Sequence, residues 1–264
     1  MQNKKIRIFL ITILIFTLCL LCVSCNNESD DNSDDIPDED KSKTSDKEPD
    51  KEDEKIDSII IYVNDEISFY LESEDDNKTE IKDKNELEKY LNKRNDSKAV
   101  FYLIKNDDEL SKEEITNEDI IKGYINCYFD IYVVSSKTSE MNDGDVITIN
   151  GQCAIVGYNA FNTMANVLIY VNALPKSSHP VIYLDSGEYN EVFNLYHDNI
   201  FIFGICSGLT EQERSEMEES IFTGSVSIKG NSIRIKGVAV DDLEQTFIVT
   251  GNDFIQEEVV LNKK

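Results

Sequence analysis

From Val146 onward the chain consists largely of short apolar runs closed by Gly, Asn or Asp: VITING, CAIVG, VIYLDSGEYNEVFNL, NIFIFG, SVSIKG, NSIRIKGVAV, TFIVTG and FIQEEVVL. Strands this short, spaced this tightly, suit two architectures. One is a coiled β-solenoid, in which each coil buries its alternating Ile and Val on the next. The other is an antiparallel sandwich, whose strands alternate in the same way. NIFIFG (Asn199 to Gly204) returns as NSIRIKG (Asn231 to Gly237), the nearest approach to an internal repeat. In a solenoid, Gly and Asn would take the sharp corners at positive φ. Asn199 and Asn231 would then bond to one another along the axis.

The preceding segment has a different texture. IIIYVNDEISFYL (Ile59 to Leu71) reads as two strands about a turn at Asn64-Asp65, and AVFYLIK (Ala99 to Lys105) as a third. KDKNELEKYLNKR (Lys82 to Arg94) puts Leu87, Tyr90 and Leu91 on one helical face. SKEEITNEDIIKGY (Ser111 to Tyr124) offers a helix capped by Ser111, with Glu114 three residues on. INCYFDIYVVSS (Ile125 to Ser136) alternates like a strand. The expectation is a small α+β unit over residues 58–140, without a phosphate loop or a catalytic motif.

The first residues, MQNKKIRIFLITILIFTLCLLCVSC, form a basic start and an apolar run from Ile8 to Val23. This is the layout of a secretory signal. Val23-Ser24-Cys25, followed abruptly by Asn26-Asn27, resembles the lipobox of bacterial lipoproteins, with Cys22 where a leucine is commonest. The resemblance implies a signal peptide over residues 1–25, lipidation of Cys25, and a membrane partner reached through several acyl chains. The location implied is the bacterial cell envelope, on the outer or cytoplasmic membrane and facing the periplasm or the exterior.

Residues 26–57 hold 15 acidic and 5 basic side chains and almost nothing apolar. Such a stretch cannot bury enough surface to offset its ordering entropy, so it reads as a disordered acidic linker. Of the net charge of −26, the leader carries +3 and the linker −10, leaving −19 on the remainder. That balance excludes nucleic acid, which needs clustered Lys and Arg. Beyond the leader only Cys127, Cys153 and Cys206 remain, with His179 and His197 the only histidines. These three cysteines form no CxxC, and the acidic linker has no calcium-loop spacing. The expectation is no metal, no cofactor, at most one disulfide, and cysteines that act as small buried hydrophobes.

Ile182-x-Leu184-x-x-Gly187-x-Tyr189-x-Glu191, then Asn199-Ile200-x-Ile202-x-Gly204, is similar to the start of the pectin methylesterase and pectin-lyase-like families. Phe161-x-Thr163-Met164-x-x-Val167-Leu168 with Pro175 resembles their cap helix. The resemblance runs from about Phe161 to Val240. It implies a short right-handed parallel β-helix with an N-terminal cap helix over residues 141–264, and so a mixed fold for the whole chain. GLTEQERSEMEES (Gly208 to Ser220) reads as an insertion between coils that forms a short surface helix, with Thr210 as its cap and Glu213 three residues on.

Pectin methylesterases act through two aspartates, an arginine and glutamine donors, on coils later than those the resemblance covers. The nearest local candidates are Arg234, Asp241, Asp242, Glu244 and Gln245. Adjacent strand residues face opposite ways, so Asp241 and Asp242 read better as turn acids than as a catalytic pair. Tyr183, Tyr189, Phe193 and Tyr196 form an aromatic group, with Tyr189 and Phe193 expected in the core. The functional expectation is a non-catalytic binding or structural module with a carbohydrate or protein ligand. The alternative is a degenerate or partnered pectin esterase or lyase.

Overall fold

The computed structural model describes residues 57–262, apart from 65, 73–76 and 96–98. The leader, Cys25 and all but the last residue of the acidic stretch lie outside them. Within the described residues the structure is mixed α+β, with few helices and mostly parallel strand pairing.

Asp57–Val63 (β1) is the centre of a five-stranded sheet. It pairs antiparallel with Ile67–Glu72 (β2) and parallel with Ala99–Lys105 (β4). Lys78–Glu80 (β3) lies beyond β2, and Glu113–Ile115 (β5) beyond β4. Ile59, Ile61, Phe69, Phe101 and Leu103 pack against Leu87 and Leu91 of the helix Lys84–Asn95 (α1) and Ile121, Tyr124 and Ile125 of Glu118–Tyr128 (α2).

Two sequence expectations are corrected in this segment. The cap of α2 is Asn117, not Ser111: its side chain accepts from the Asp119 amide, and Glu118 and Asp119 suit the positive end of the helix. Ser111 instead closes a 3₁₀ turn, Glu109–Ser111, and residues 113–115 are drawn onto the sheet edge. The helix then runs on through Tyr128, because Ile121, Tyr124 and Ile125 share the face that meets the core. The strand expected from Ile125 shrinks to Ile131–Val134 (β6).

β6 opens the parallel part of the structure. It pairs with Val181–Leu184 (β10), which pairs in turn with Phe201–Phe203 (β13), Arg234–Lys236 (β16) and Ile255–Glu257 (β19). Ala160–Phe161 (β9) flanks β6 on the other side. A second sheet aligns Gly187–Tyr189 (β11), Ser220–Phe222 (β14), Ala239–Val240 (β17) and Val260–Leu261 (β20). A third aligns Phe193–Leu195 (β12), Val226–Ile228 (β15) and Phe247–Val249 (β18). The chain thus visits three parallel sheets in rotation. Tyr132, Ile182, Ile202 and Ile235 lie side by side in register and are all buried. The helix Met164–Val171 (α3) buries Met164, Val167, Leu168 and Val171 in the same core, capped by Thr163.

Val146–Ile149 (β7) and Gln152–Ile155 (β8) do not join this rotation. They form an antiparallel hairpin about Asn150 and Gly151, both at positive φ, as an Asn-Gly turn requires. The hairpin lies over the outward side of β6, where Ile147, Ile149 and Ala154 cover Val133.

The corners are built partly as expected. Asn199, Ser232 and Asp253 all sit in the left-handed region just before their strands. The side-chain ladder includes Asn231 as expected, but its partner in the preceding circuit is Asp198 and not Asn199. The Asn231 amide nitrogen Nδ2 donates to Asp198 Oδ1 (3.1 Å), and Asn252 Nδ2 donates to Asn231 Oδ1 (3.1 Å). Asn199 holds the turn and Asp198 does the pairing. Gly204 and Gly251 serve by their lack of a side chain. A Cβ on Gly204 would fall 2.2 Å from the Gly237 carbonyl oxygen, and one on Gly251 1.9 Å from that of Gly230.

Candidate functional site

The acids and the arginine singled out in the sequence lie on different faces. Asp242 caps the short helix Leu243–Thr246 (α5), accepting from the amides of Glu244 (2.9 Å) and Gln245 (3.2 Å) and from Gln245 Nε2 (3.0 Å). Asp241 is exposed and accepts from Asn262 Nδ2 at 2.9 Å. Arg234 stands on β16, in another sheet. Its guanidinium lies 5.5 Å from the Phe201 ring centre, and its Nε is 3.8 Å from Glu257, too far for a hydrogen bond. Both aspartates are engaged in local structure at the corner after β17.

A second polar group, at the corner after β10, is more deeply placed. Asp185 is buried, and its Oδ2 accepts from Ser135 Oγ (2.7 Å) and pairs with Lys137 Nζ (2.8 Å). Its Oδ1 accepts from the Ser186 amide at 2.8 Å. Burial alone would raise the carboxyl pKa, but the bonds from Lys137, Ser135 and Ser186 outweigh it and hold the group below the usual aspartate value. A carboxylate stabilised in this way is a weak base. The surrounding bonds are structural: Ser220 Oγ and the Tyr189 hydroxyl both donate to the Asp185 carbonyl, at 2.8 and 3.0 Å.

The aromatic group divides. Tyr189 and Phe193 are buried, edge-on to Phe222 at 5.9 and 5.6 Å. Tyr196 is exposed at a corner, where Lys229 Nζ donates to its hydroxyl (3.1 Å). Tyr183 points outward. With it comes a surface that the sequence reading missed: on β13 the isoleucine faces in and Phe201 and Phe203 face out. Tyr183 and Phe203 stack at 5.4 Å with ring planes 24° apart. In register, one outward row passes through Tyr183, Phe203 and Lys236, and its neighbour through Val181, Phe201 and Arg234. All six side chains are half-buried, and Asn150 of the hairpin anchors beside them by donating to the Gly204 carbonyl (3.0 Å). The alternation of NIFIFG was the signal for this face.

Cys127, Cys153 and Cys206 are all free thiols. Burial raises the pKa of each, that of Cys127 to about 12, so none is primed as a nucleophile. Among the described residues no three of His, Cys, Asp and Glu gather to hold a metal ion, and no helix is long and apolar enough to cross a membrane. Comparison with family models, curated proteins and solved structures finds no match to this chain.

Proposed function

We propose that this chain is a lipid-anchored lipoprotein of the bacterial envelope whose C-terminal part is a non-catalytic, carbohydrate-binding module. In this reading the three parallel sheets are the faces of a short right-handed β-helix of the pectin-lyase-like kind, and Cys25 carries the anchor. The rotation of the chain through three sheets supports the architecture. The observation that carries the binding role is the outward face of Tyr183, Phe203 and Phe201, flanked by Arg234 and Lys236. Flat rings half-open to solvent, with Arg234 and Lys236 beside them, suit the C–H faces and hydroxyl groups of a sugar chain. The engagement of Asp241, Asp242 and Arg234 in separate local contacts supports the non-catalytic half of the reading.

The test is retention of the purified mature chain on insoluble polysaccharides and on cell-wall sacculi. Tyr183→Ala with Phe203→Ala is expected to weaken retention about tenfold, the equivalent of ~1.4 kcal/mol. Unchanged retention refutes the face. Release of methanol or unsaturated uronide, lost in Asp242→Asn, moves the chain to the enzyme alternative. Retention on envelope proteins but not on glycans makes the ligand a protein. For the anchor, Cys25→Ala should leave the protein unlipidated, as a soluble or an unprocessed form; a membrane-bound form that migrates unchanged would make the run Ile8 to Val23 an uncleaved helix instead.

A further inference from the structure

A cavity of about 350 Å³ lies between α1, α2 and the tip of the hairpin, and its lining residues include none of the outward aromatic face. Its apolar floor is Leu91 and Ile125, both buried. Lys84 enters its wall from α1 and Lys122 from α2, and among the described residues the only acid lining it is Glu88. In a chain with 52 acidic and 26 basic side chains, a wall with two lysines to one glutamate runs against the composition. Glu88 is 3.7 Å from Lys84, while Lys122 is held at 2.7 Å by Glu118, which stands outside the wall. The polar end of the cavity is preorganised. Buried Asn126 donates through Nδ2 to the Cys153 carbonyl (2.9 Å) and to Gln152 Oε1 (3.4 Å). With its Oε1 facing Asn126, Gln152 has its Nε2 left to donate, and it lines the cavity with the two lysines.

We infer that this cavity binds a small organic carboxylate, its carboxyl group between Lys84 and Lys122 and its short hydrocarbon part on Leu91 and Ile125. The volume is at the lower end of the range for small-molecule sites, so the ligand is a short acid and not a polymer. Two ammonium groups and an amide N–H give charge-assisted bonds that an uncharged isostere cannot match. The site is independent of the binding role proposed for the aromatic face.

The experiment is an amide-resolved NMR titration of the mature chain with butanoate, butanamide and butylamine at constant ionic strength. Butanoate should give saturable shifts confined to residues 84–92, 122–126 and 151–153. Butanamide should bind at least about tenfold more weakly, and butylamine should not bind. Lys84→Gln with Lys122→Gln should abolish the preference for butanoate over butanamide. Tyr183→Ala with Phe203→Ala should leave that preference intact, which separates this site from the outward face. Equal affinity for acid and amide in the parent chain, or shifts that rise without saturation and spread over other surfaces, would overturn the inference. The parent comparison decides this even if a lysine variant fails to fold.

Discussion

Arg214 is the residue whose loss should be felt most widely. It lies in the insertion, at the end of the short helix Glu211–Arg214 (α4), whose Thr210–Glu213 capping box is the one expected from sequence. Its guanidinium nevertheless turns inward and is 9% exposed. Nε and Nη2 donate to the two Glu219 carboxylate oxygens at 2.9 and 2.7 Å. Nη2 also donates to the Val238 carbonyl (2.9 Å), and Nη1 to the Glu258 carbonyl (2.5 Å). One side chain thereby ties the strand start at Ser220 to the corners after β16 and β19.

Arg214→Leu keeps the apolar stem and removes every one of these donors. Breaking a fully buried ion pair costs about 3–5 kcal/mol. Glu219 retains 22% side-chain exposure and can regain some hydration, which lowers the expected loss. The two orphaned carbonyls add about 1 kcal/mol each where water cannot reach them. A net loss of about 2–4 kcal/mol is expected, within what a chain stable by about 5–15 kcal/mol survives. Urea unfolding followed by circular dichroism should show a lower midpoint with an unchanged slope. Arg214→Lys, which keeps the charge but loses the fork, should fall between parent and Leu. Arg214→Leu with Glu219→Leu should recover part of the loss, since no unpaired carboxylate remains. An Arg214→Leu midpoint equivalent to less than about 0.5 kcal/mol, the level of an ordinary surface change, would refute this assignment.

Two further outcomes follow from the same contacts. Ile202→Asp or Ile233→Asp places a charge among fully buried neighbours and should cost about 4 kcal/mol or more, whereas Phe203→Asp, one residue away but outward, should cost less than half as much; equal midpoints would sink the register. Asp185→Asn should cost about 1–2 kcal/mol at pH 7, discounted because Lys137 is largely exposed. Because the folded-state pKa of Asp185 is depressed, its contribution is complete above the ordinary aspartate value near 3.9 and is lost as the pH falls below it. The gap between parent and Asp185→Asn should therefore close on acidification below about pH 4, and a gap independent of pH would refute the charge as its source.

What could be read beforehand is what depends on neighbours in sequence. The alternation in IIIYV, AVFYLIK and NIFIFG marks strands because the side-chain period of two survives any sheet arrangement. Thr210 with Glu213 and Thr163 before Met164 mark helix starts because a cap bonds within three residues. VLIYV was the harder case. Its β-branched residues favour a strand, yet Met164, Val167, Leu168 and Val171 fall on one helical face, and burial of that face prevails over propensity. The Asn150-Gly151 pair between two alternating runs is a hairpin signal, masked in the sequence by the likeness of those runs to the later strands.

What could not be read depends on which residues meet across the circuits. The repeat suggested Asn199 opposite Asn231. The register instead places Asp198, Asn231 and Asn252 together, because the corner residue in the left-handed region is Asn199 in one circuit, Ser232 in the next and Asp253 in the third. Nothing in those three residue types announces a common position. The same rotation keeps the few local acid and arginine candidates apart. Asp241, Asp242 and Arg234 are close in sequence, but a chain that turns into a new sheet every few residues separates such neighbours onto different faces. Tyr183 and Phe203, far apart in sequence, stack because one circuit of the chain returns them to the same row. In this fold an outward row is assembled from positions one circuit apart, so residues at equal register are the ones to mutate together.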